Sequence, residues 1–218
     1  MSSENPTGAD NQQGSRTRRP NDELLTPQRL HAELLTSDAK GLEAYLQGAL
    51  HDGTCSGLHG THRIGQADPR WLLHLRSILA LLGRRGWIYR EGRDRRFWVL
   101  ETTAPFLDVE FDASPLVGTR AGLHYVRGYF DGEGGMPRTE TSRCYLQFTQ
   151  KRRDSLEVLA RILESWGIAC GRIHNPSRAV DPDYWRVYVR AGSHERFMSL
   201  VRSWHPRKRQ QMYLRMKI

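Results

Sequence analysis

Cysteine is scarce in this 218-residue chain: Cys55, Cys144 and Cys170 are few, odd in number and nowhere spaced C-x-x-C. That excludes a disulfide scaffold and a zinc ribbon, and it leads us to expect a reducing, cytoplasmic setting. No apolar run approaches the roughly 18 residues that a membrane span needs, and the N-terminus lacks the apolar core of a signal peptide. Residues 1–22 hold almost nothing apolar and read as a disordered tail. Acids are in deficit, 24 Asp and Glu against 33 Lys and Arg, for a formal charge of +9. Such a surplus favours a polyanionic partner, nucleic acid above all, through phosphate contacts and counterion release.

What the chain does have is an internal repeat. Gln66 and Gln150 lie 84 positions apart, and so do Leu72 and Leu156, Leu75 and Leu159, Ile78 and Ile162, Leu79 and Leu163, and Gly83 and Gly167. Coincidences at one offset signal duplicated architecture and precede any reading of fold.

The elements follow from periodicity. Leu24–Leu35 reads as a lead-in helix. Leu42, Tyr45, Leu46 and Ala49 place a helix over about 40–50, which His51-Asp52-Gly53-Thr54 stops. A hairpin is expected over 54–66, turning at Gly57–Gly60. Asp68-Pro69 starts a helix whose apolar stripe runs from Trp71 to Leu82 and closes at Gly83. A second hairpin joins Gly86–Tyr89 to Phe97–Leu100. The order then recurs: a helix over about 121–130, strands over 138–150, a helix from Leu156 to Gly167, strands over 168–174 and 184–190, and a helix over 194–204. A basic tail, His205-Pro206-Arg207-Lys208-Arg209-Gln210, ends the pattern. The fold class expected is α+β: two pseudo-symmetric αββαββ(α) repeats with antiparallel sheets, over 23–101 and 120–218, joined by a linker over 102–119.

The first helix of each half ends in an acidic, glycine-rich turn, Gly48-Ala-Leu-His-Asp52-Gly-Thr54 and Gly128-Tyr-Phe-Asp-Gly-Glu133-Gly-Gly135. Glycine lets two helix backbones approach closely, so a terminal acid is projected from the bottom of the pair. Two such carboxylates side by side repel unless a divalent cation lies between them. Mg²⁺ held by two carboxylates and phosphate oxygens suits phosphodiester hydrolysis. An EF-hand reading fails because no spaced Asp or Asn ligands follow. His51, Cys55, His59 and His62 could be drawn as a zinc site but complete no usual pattern.

Gly128-Tyr-Phe-Asp-Gly-Glu-Gly134 resembles the G-L-I-D-A-D-G core of the LAGLIDADG homing endonucleases. The αββαββ repeat is that family's unit, and two in one chain resemble its monomeric two-repeat members, over roughly residues 40–215. The resemblance implies a site-specific double-strand DNA endonuclease that is monomeric and uses Mg²⁺ (or Mn²⁺). By that resemblance Glu133 takes the place of the metal-binding carboxylate, while Asp131 matches the earlier, more structural acid. Asp52 is the carboxylate available in the first half; the motif there either puts Gln47 in place of the packing glycine or, aligned on Gly48, is one residue short. Gln150 and its repeat partner Gln66 resemble the family's strand-ending glutamine, which orders water. Lys208 resembles its basic residue supporting the attacking water.

A twisted antiparallel sheet can lie along the major groove of double-stranded DNA, alternate side chains reaching bases or phosphates. Arg63, Arg90, Arg93, Arg95 and Arg96 in the first half, and Arg138, Arg143, Lys151, Arg172, His174, Arg178 and Arg186 in the second, are the candidate contacts. Decay of the first motif would leave a DNA-binding regulator or an intron RNA maturase that binds without cutting. A winged-helix regulator, read from 68–100, leaves the repeat unexplained.

Overall fold

The computed structural model describes residues 32–92, 97–139 and 141–216. The expected N-terminal tail, most of the lead-in helix, and Arg93, Arg95 and Arg96 lie outside the described residues, while 32–35 are helical.

Asp38 caps α1 (Ala39–Ala49), its carboxylate accepting the Gly41 N–H at 2.6 Å. A 3₁₀ turn, Leu50–Asp52, ends the helix. β1 (Gly53–Ser56) and β2 (Thr61–Gln66) form the first hairpin, and β3 (Gly86–Glu91) and β4 (Phe97–Thr102) the second. Together they make an antiparallel sheet of order β1-β2-β4-β3. Across it α2 (Arg70–Leu81) buries Trp71, Leu72, Leu75, Ile78 and Leu79. The Asp68 carboxylate accepts the Arg70 N–H at 3.0 Å, a local turn contact one step before the helix.

The second half opens with α3 (Arg120–Glu133), capped by Thr119. β5 (Gln147–Gln150), α4 (Arg153–Ser165), β6 (Trp185–Tyr188), α5 (His194–Leu200) and α6 (Pro206–Met216) follow. The repeat is visible atom by atom at the ends of α2 and α4. Gly83 and Gly167 both turn at φ +69°, the left-handed region that glycine enters without penalty. The next residue of each returns a hydrogen bond to the helix, Arg84 to the Leu79 carbonyl at 2.8 Å and Ile168 to that of Leu163 at 3.0 Å.

Four expectations need correction in the second half. The strand expected over 138–150 is confined to Gln147–Gln150, anchored by an isolated bridge from Gly135 to Gln147. Pro137 offers no N–H, and the Thr139 and Ser142 carbonyls go to the Arg215 guanidinium instead of a ladder. Arg138 and Arg143 therefore sit off the strand, exposed. The segment 168–174 pairs with β6 only in pieces. Gly171 donates to Tyr188 and His174 exchanges bonds with Arg186, three steps on one side against two on the other, which is a bulge. The basic tail is a helix. Pro206 suits its first turn, and Lys208 and Met212, four residues apart, face inward. The helix expected over 194–204 stops at Leu200, and Arg202 at φ +59° redirects the chain so that Trp204 enters the core.

Each half has its own core, Leu42, Leu46, Leu72, Leu75, Ile78, Leu79 and Leu100 in one, and Val126, Phe130, Phe148, Leu156, Leu159, Ile162, Val187 and Phe197 in the other. The two exchange members: Ala44 of α1 joins the second core, and Trp204 joins the first. Between them α1 and α3 cross in backbone contact. A Cβ on Gly48 would stand 2.0 Å from the Tyr125 carbonyl oxygen, and one on Gly128 would stand 1.9 Å from that of Tyr45. Gly48 is thus the packing glycine of the first motif, so that motif is one residue short. The shortfall is made good by the 3₁₀ turn: at about 2.0 Å per residue against about 1.5 Å in an α-helix, four residues from Gly48 to Asp52 span the ~7.5 Å that five span from Gly128 to Glu133.

Gly48→Ala or Gly128→Ala should cost more than about 2 kcal/mol, because helix backbones must separate to admit the methyl. Gly192→Ala, whose Cβ meets nothing within 4 Å, should change stability little; chemical denaturation of the three variants checks the contrast.

Candidate functional site

The crossing of α1 and α3 carries a chain of hydrogen bonds through its centre. The Trp71 indole donates to the Tyr45 hydroxyl at 2.9 Å, and that hydroxyl donates to Asp131 at 2.7 Å. Asp131 also accepts the Ser203 hydroxyl and the N–H groups of Trp204 (2.8 Å) and His205 (3.1 Å). Burial pushes its carboxyl pKa upward, while Lys208, Ser203 and Tyr45 oppose the shift. With four donors on its two oxygens, Asp131 ties α3 to the strap before α6.

The matching pair on the other side of the seam has the same geometry and different chemistry. Tyr125, eighty residues after Tyr45, meets the His51 Nε2 at 2.6 Å, and His51 stands three residues after Gly48 as Asp131 does after Gly128. Burial, then the Arg152 charge, pushes the imidazole pKa down to about 4, so the ring is neutral.

Past this layer lie the two acids. A Cβ on Gly132 would stand 2.9 Å from the Asp52 Cβ, so the end of α3 lies against Asp52 and brings Glu133 to the same spot. Gln66 donates to Asp52 at 2.5 Å from the end of β2. Burial, and then the Asp52 charge, pushes Glu133 up to about 7; burial also raises Asp52, with Gln66 and Lys208 opposing. Two half-buried oxygen-donor side chains, each made costly to ionise, fit a hard divalent cation completed by water or phosphate oxygens. Among the described residues no group of three or more His, Cys, Asp or Glu assembles a fuller cage.

Lys208 is 3% exposed. Its ammonium donates to the carbonyls of Phe130 (2.5 Å), Asp131 (2.8 Å) and Gly132 (3.4 Å), which spends its three protons on the end of α3. Burial lowers its pKa to about 8, with Asp131 opposing the shift. The cation thus caps a helix C-terminus, where positive charge is favoured, and bears on both acids through space. Gln150 reaches His51, not Glu133.

The open faces of the two sheets differ. In the first, Ile64, Leu100 and Ile88 are in register and pack against α2, so alternation sends Arg63, Trp87, Tyr89, Glu91, Phe97 and Glu101 outward. There Arg63 is paired to Glu91 at 2.5 Å and the Tyr89 hydroxyl donates to Glu101 at 2.7 Å. Among the described residues, one arginine faces two glutamates and three exposed rings there. Arg90, opposite Trp98, has the other parity and belongs to the helix side. In the second sheet Phe148 and Val187 face the core, and Gln147, Thr149, Arg186 and Tyr188 face out. The Arg186 guanidinium is held by the hydroxyls of Tyr184 and Tyr188, both at 3.0 Å, and the His174 ring stacks on Tyr188 at 6.0 Å. Arg172 lies in the exposed edge segment, Arg178 in the exposed turn at 176–180, and Lys151 just past β5. The sequence reading missed Tyr45, Tyr125 and Ser203 as binders of the seam; the first two sit at matched positions, a signal that was present.

Glu133 makes a prediction about stability. A carboxyl raised in the folded state binds its proton more tightly there than in the unfolded chain, so stability is lost as pH rises from the ordinary carboxyl range through about 7. Glu133→Gln should flatten that loss, and Mg²⁺ should raise the melting temperature of the parent chain at pH 8 but not that of the variant, as thermal melts across pH will show.

Residues 122–202 match the family described as LAGLIDADG-like domain. No curated protein sequence matches the chain. Among solved structures, I-DmoI in complex with DNA and Mn superposes with TM-score 0.58 at 16% identity, covering 76% of this chain and 98% of that one. The N-terminal LAGLIDADG domain of DUF199/WhiA gives 0.57 at 14%, covering 79% and 88%. Full-length DUF199/WhiA from Thermatoga maritima gives 0.58 at 13%, covering 87% of this chain and 66% of that one. Residues 122–202 thus carry a LAGLIDADG-like domain, and the chain as a whole has the fold of these LAGLIDADG structures.

Proposed function

We propose that the chain is a metal-dependent DNA endonuclease working as a pseudo-symmetric monomer. The observation that carries this reading is the meeting of Asp52 and Glu133 at the foot of the helix crossing, each with its pKa raised by burial. Asp52 and Glu133 would hold the cation, Mg²⁺ or Mn²⁺. The cation would supply positive charge against the charge developing on the scissile phosphate. Gln66 keeps the Asp52 carboxylate oriented. Lys208 and Asp131 lock the last turn of α3, which fixes where Glu133 points. Lys208 thus acts on the acids by position and field, not as a donor to water.

Duplex DNA fits the open sheet faces, with the second carrying more of the binding. Its Arg186 is pre-organised by two tyrosines, whereas Arg63 is already neutralised by Glu91. A second reading, DNA binding without cleavage, draws on the short first motif and on a Glu133 that, among the described residues, no glutamine hydrogen-bonds.

Incubating the chain with a randomised duplex library in Mg²⁺, and in Ca²⁺ as a non-catalytic substitute, separates the two. Site-specific cuts in Mg²⁺ alone are expected; site-specific binding with no cuts in either ion would establish the second reading. Glu133→Gln and Asp52→Asn should each abolish cutting while duplex affinity measured without metal stays within about threefold. Arg186→Ala should weaken duplex binding by about 1–3 kcal/mol and Arg63→Ala by less, with the salt dependence of binding reduced more by the first. Titrations at two salt concentrations give both numbers.

A further inference from the structure

The two strand-ending glutamines hold different partners. Gln66 donates to Asp52, a carboxylate of its own half. Gln150 crosses the seam: its Nε2 lies 3.3 Å from the His51 Nδ1, and its Oε1 accepts the Lys151 N–H at 2.7 Å. An amide nitrogen only donates, so Nδ1 is the acceptor and the ring proton resides on Nε2, which donates to the Tyr125 oxygen at 2.6 Å. The ring lies 4.1 Å from that of Tyr129, which fixes its rotation.

The arms on which these glutamines sit are otherwise alike. Gly53, next after Asp52, pairs with Ile64 on the strand that ends in Gln66. Gly135, two beyond Glu133, pairs with Gln147 on the strand that ends in Gln150. Each arm is therefore one acid and one glutamine fastened by antiparallel pairing, a short ladder in the first half and a single bridge in the second. The arms part where a first-half residue, His51, holds the second half's glutamine. A bond from an amide to a carboxylate is charge-assisted; a longer one to a neutral imidazole is weaker and leaves Gln150 easier to redirect.

We propose that His51 is a positioning residue that holds Gln150 in its arm, so that the two strands of a duplex are cut by inequivalent arms. This rests on the nuclease reading above. Loss of the His51 contact leaves Gln150 held only by the Tyr129 hydroxyl and the Lys151 N–H, which loosens it and slows the strand cut by that arm while sparing the other, and the nicked duplex accumulates.

Two substitutions divide the functions of the ring. His51→Asn keeps an oxygen acceptor where Nδ1 stands and loses the Tyr125 contact. His51→Gln reaches Tyr125 and removes the acceptor facing Gln150. With a duplex recovered from the library and labelled separately on each strand, single-turnover cleavage in Mg²⁺ is followed strand by strand. The expected result for His51→Gln is a slowing of one strand by about tenfold, the other strand and the duplex affinity changing less than about twofold. His51→Asn should stay within about threefold of the parent on both strands, Gln150→Leu should reproduce His51→Gln, and the double variant should be no slower than either single one. Equal slowing of both strands, a worse effect from His51→Asn than from His51→Gln, or no change in any variant that melts like the parent would each overturn the assignment. A parent chain that binds the duplex and cuts neither strand overturns the nuclease reading itself, and the assignment falls with it.

Discussion

Everything at the centre of this molecule follows from two helix backbones in contact at Gly48 and Gly128. With a carbonyl oxygen about where each glycine's Cβ would be, α1 and α3 have no freedom to slide or separate. Close approach puts the side chains on either side of the crossing at fixed reach, so Tyr45 meets Asp131 and Tyr125 meets His51. It also makes the last turns of both helices end at one place. Carboxylates on different helices are brought together by the scaffold, where burial raises the pKa of both and the Asp52 charge raises that of Glu133 further.

The same constraint explains the buried ions. A lysine placed inside a protein forfeits its hydration, and Lys208 recovers part of that loss from three carbonyls at the end of α3. Asp131 does the complementary service for the backbone N–H groups of the strap that leads into α6. Arg127, buried and stacked over Trp204 at 4.5 Å, donates to the Val201 carbonyl and completes the tie between α3 and the C-terminal helices. These groups are interior, yet each fixes the direction of the turn that carries Glu133.

Duplication supplied the symmetry and divergence has worked on it. One side of the crossing keeps an acid with four donors around it; the other has a neutral histidine. Among the described residues, one sheet face has an arginine neutralised among aromatic rings; the other presents a tyrosine-braced arginine with a histidine beside it. The halves share a backbone plan while their surfaces are specialised differently.

The repeat, the amphipathic helices and the two acidic turns were legible in the sequence, because they depend on periods of two and 3.6 residues and on glycine at helix ends. Gly83 and Gly167 stop their helices by local geometry alone, which is why their spacing was informative. The strands of the second half were not legible: whether Thr139 and Ser142 join a ladder depended on Arg215, more than seventy residues away. Nor could the sequence place Lys208 inside, since a run of His-Pro-Arg-Lys-Arg is basic whichever way it points, and burial became possible only once α3 offered the carbonyls of its last turn. The choice between Gln47 and Gly48 as packing residue likewise waited on the crossing, where Gly48 meets Tyr125 and Gln47 turns away to clasp Asp108. By itself the sequence determined which segments become helix and strand and that the chain is built twice. Only the tertiary structure decided which charges meet, because distance between remote residues is set by packing and leaves no trace in local spacing.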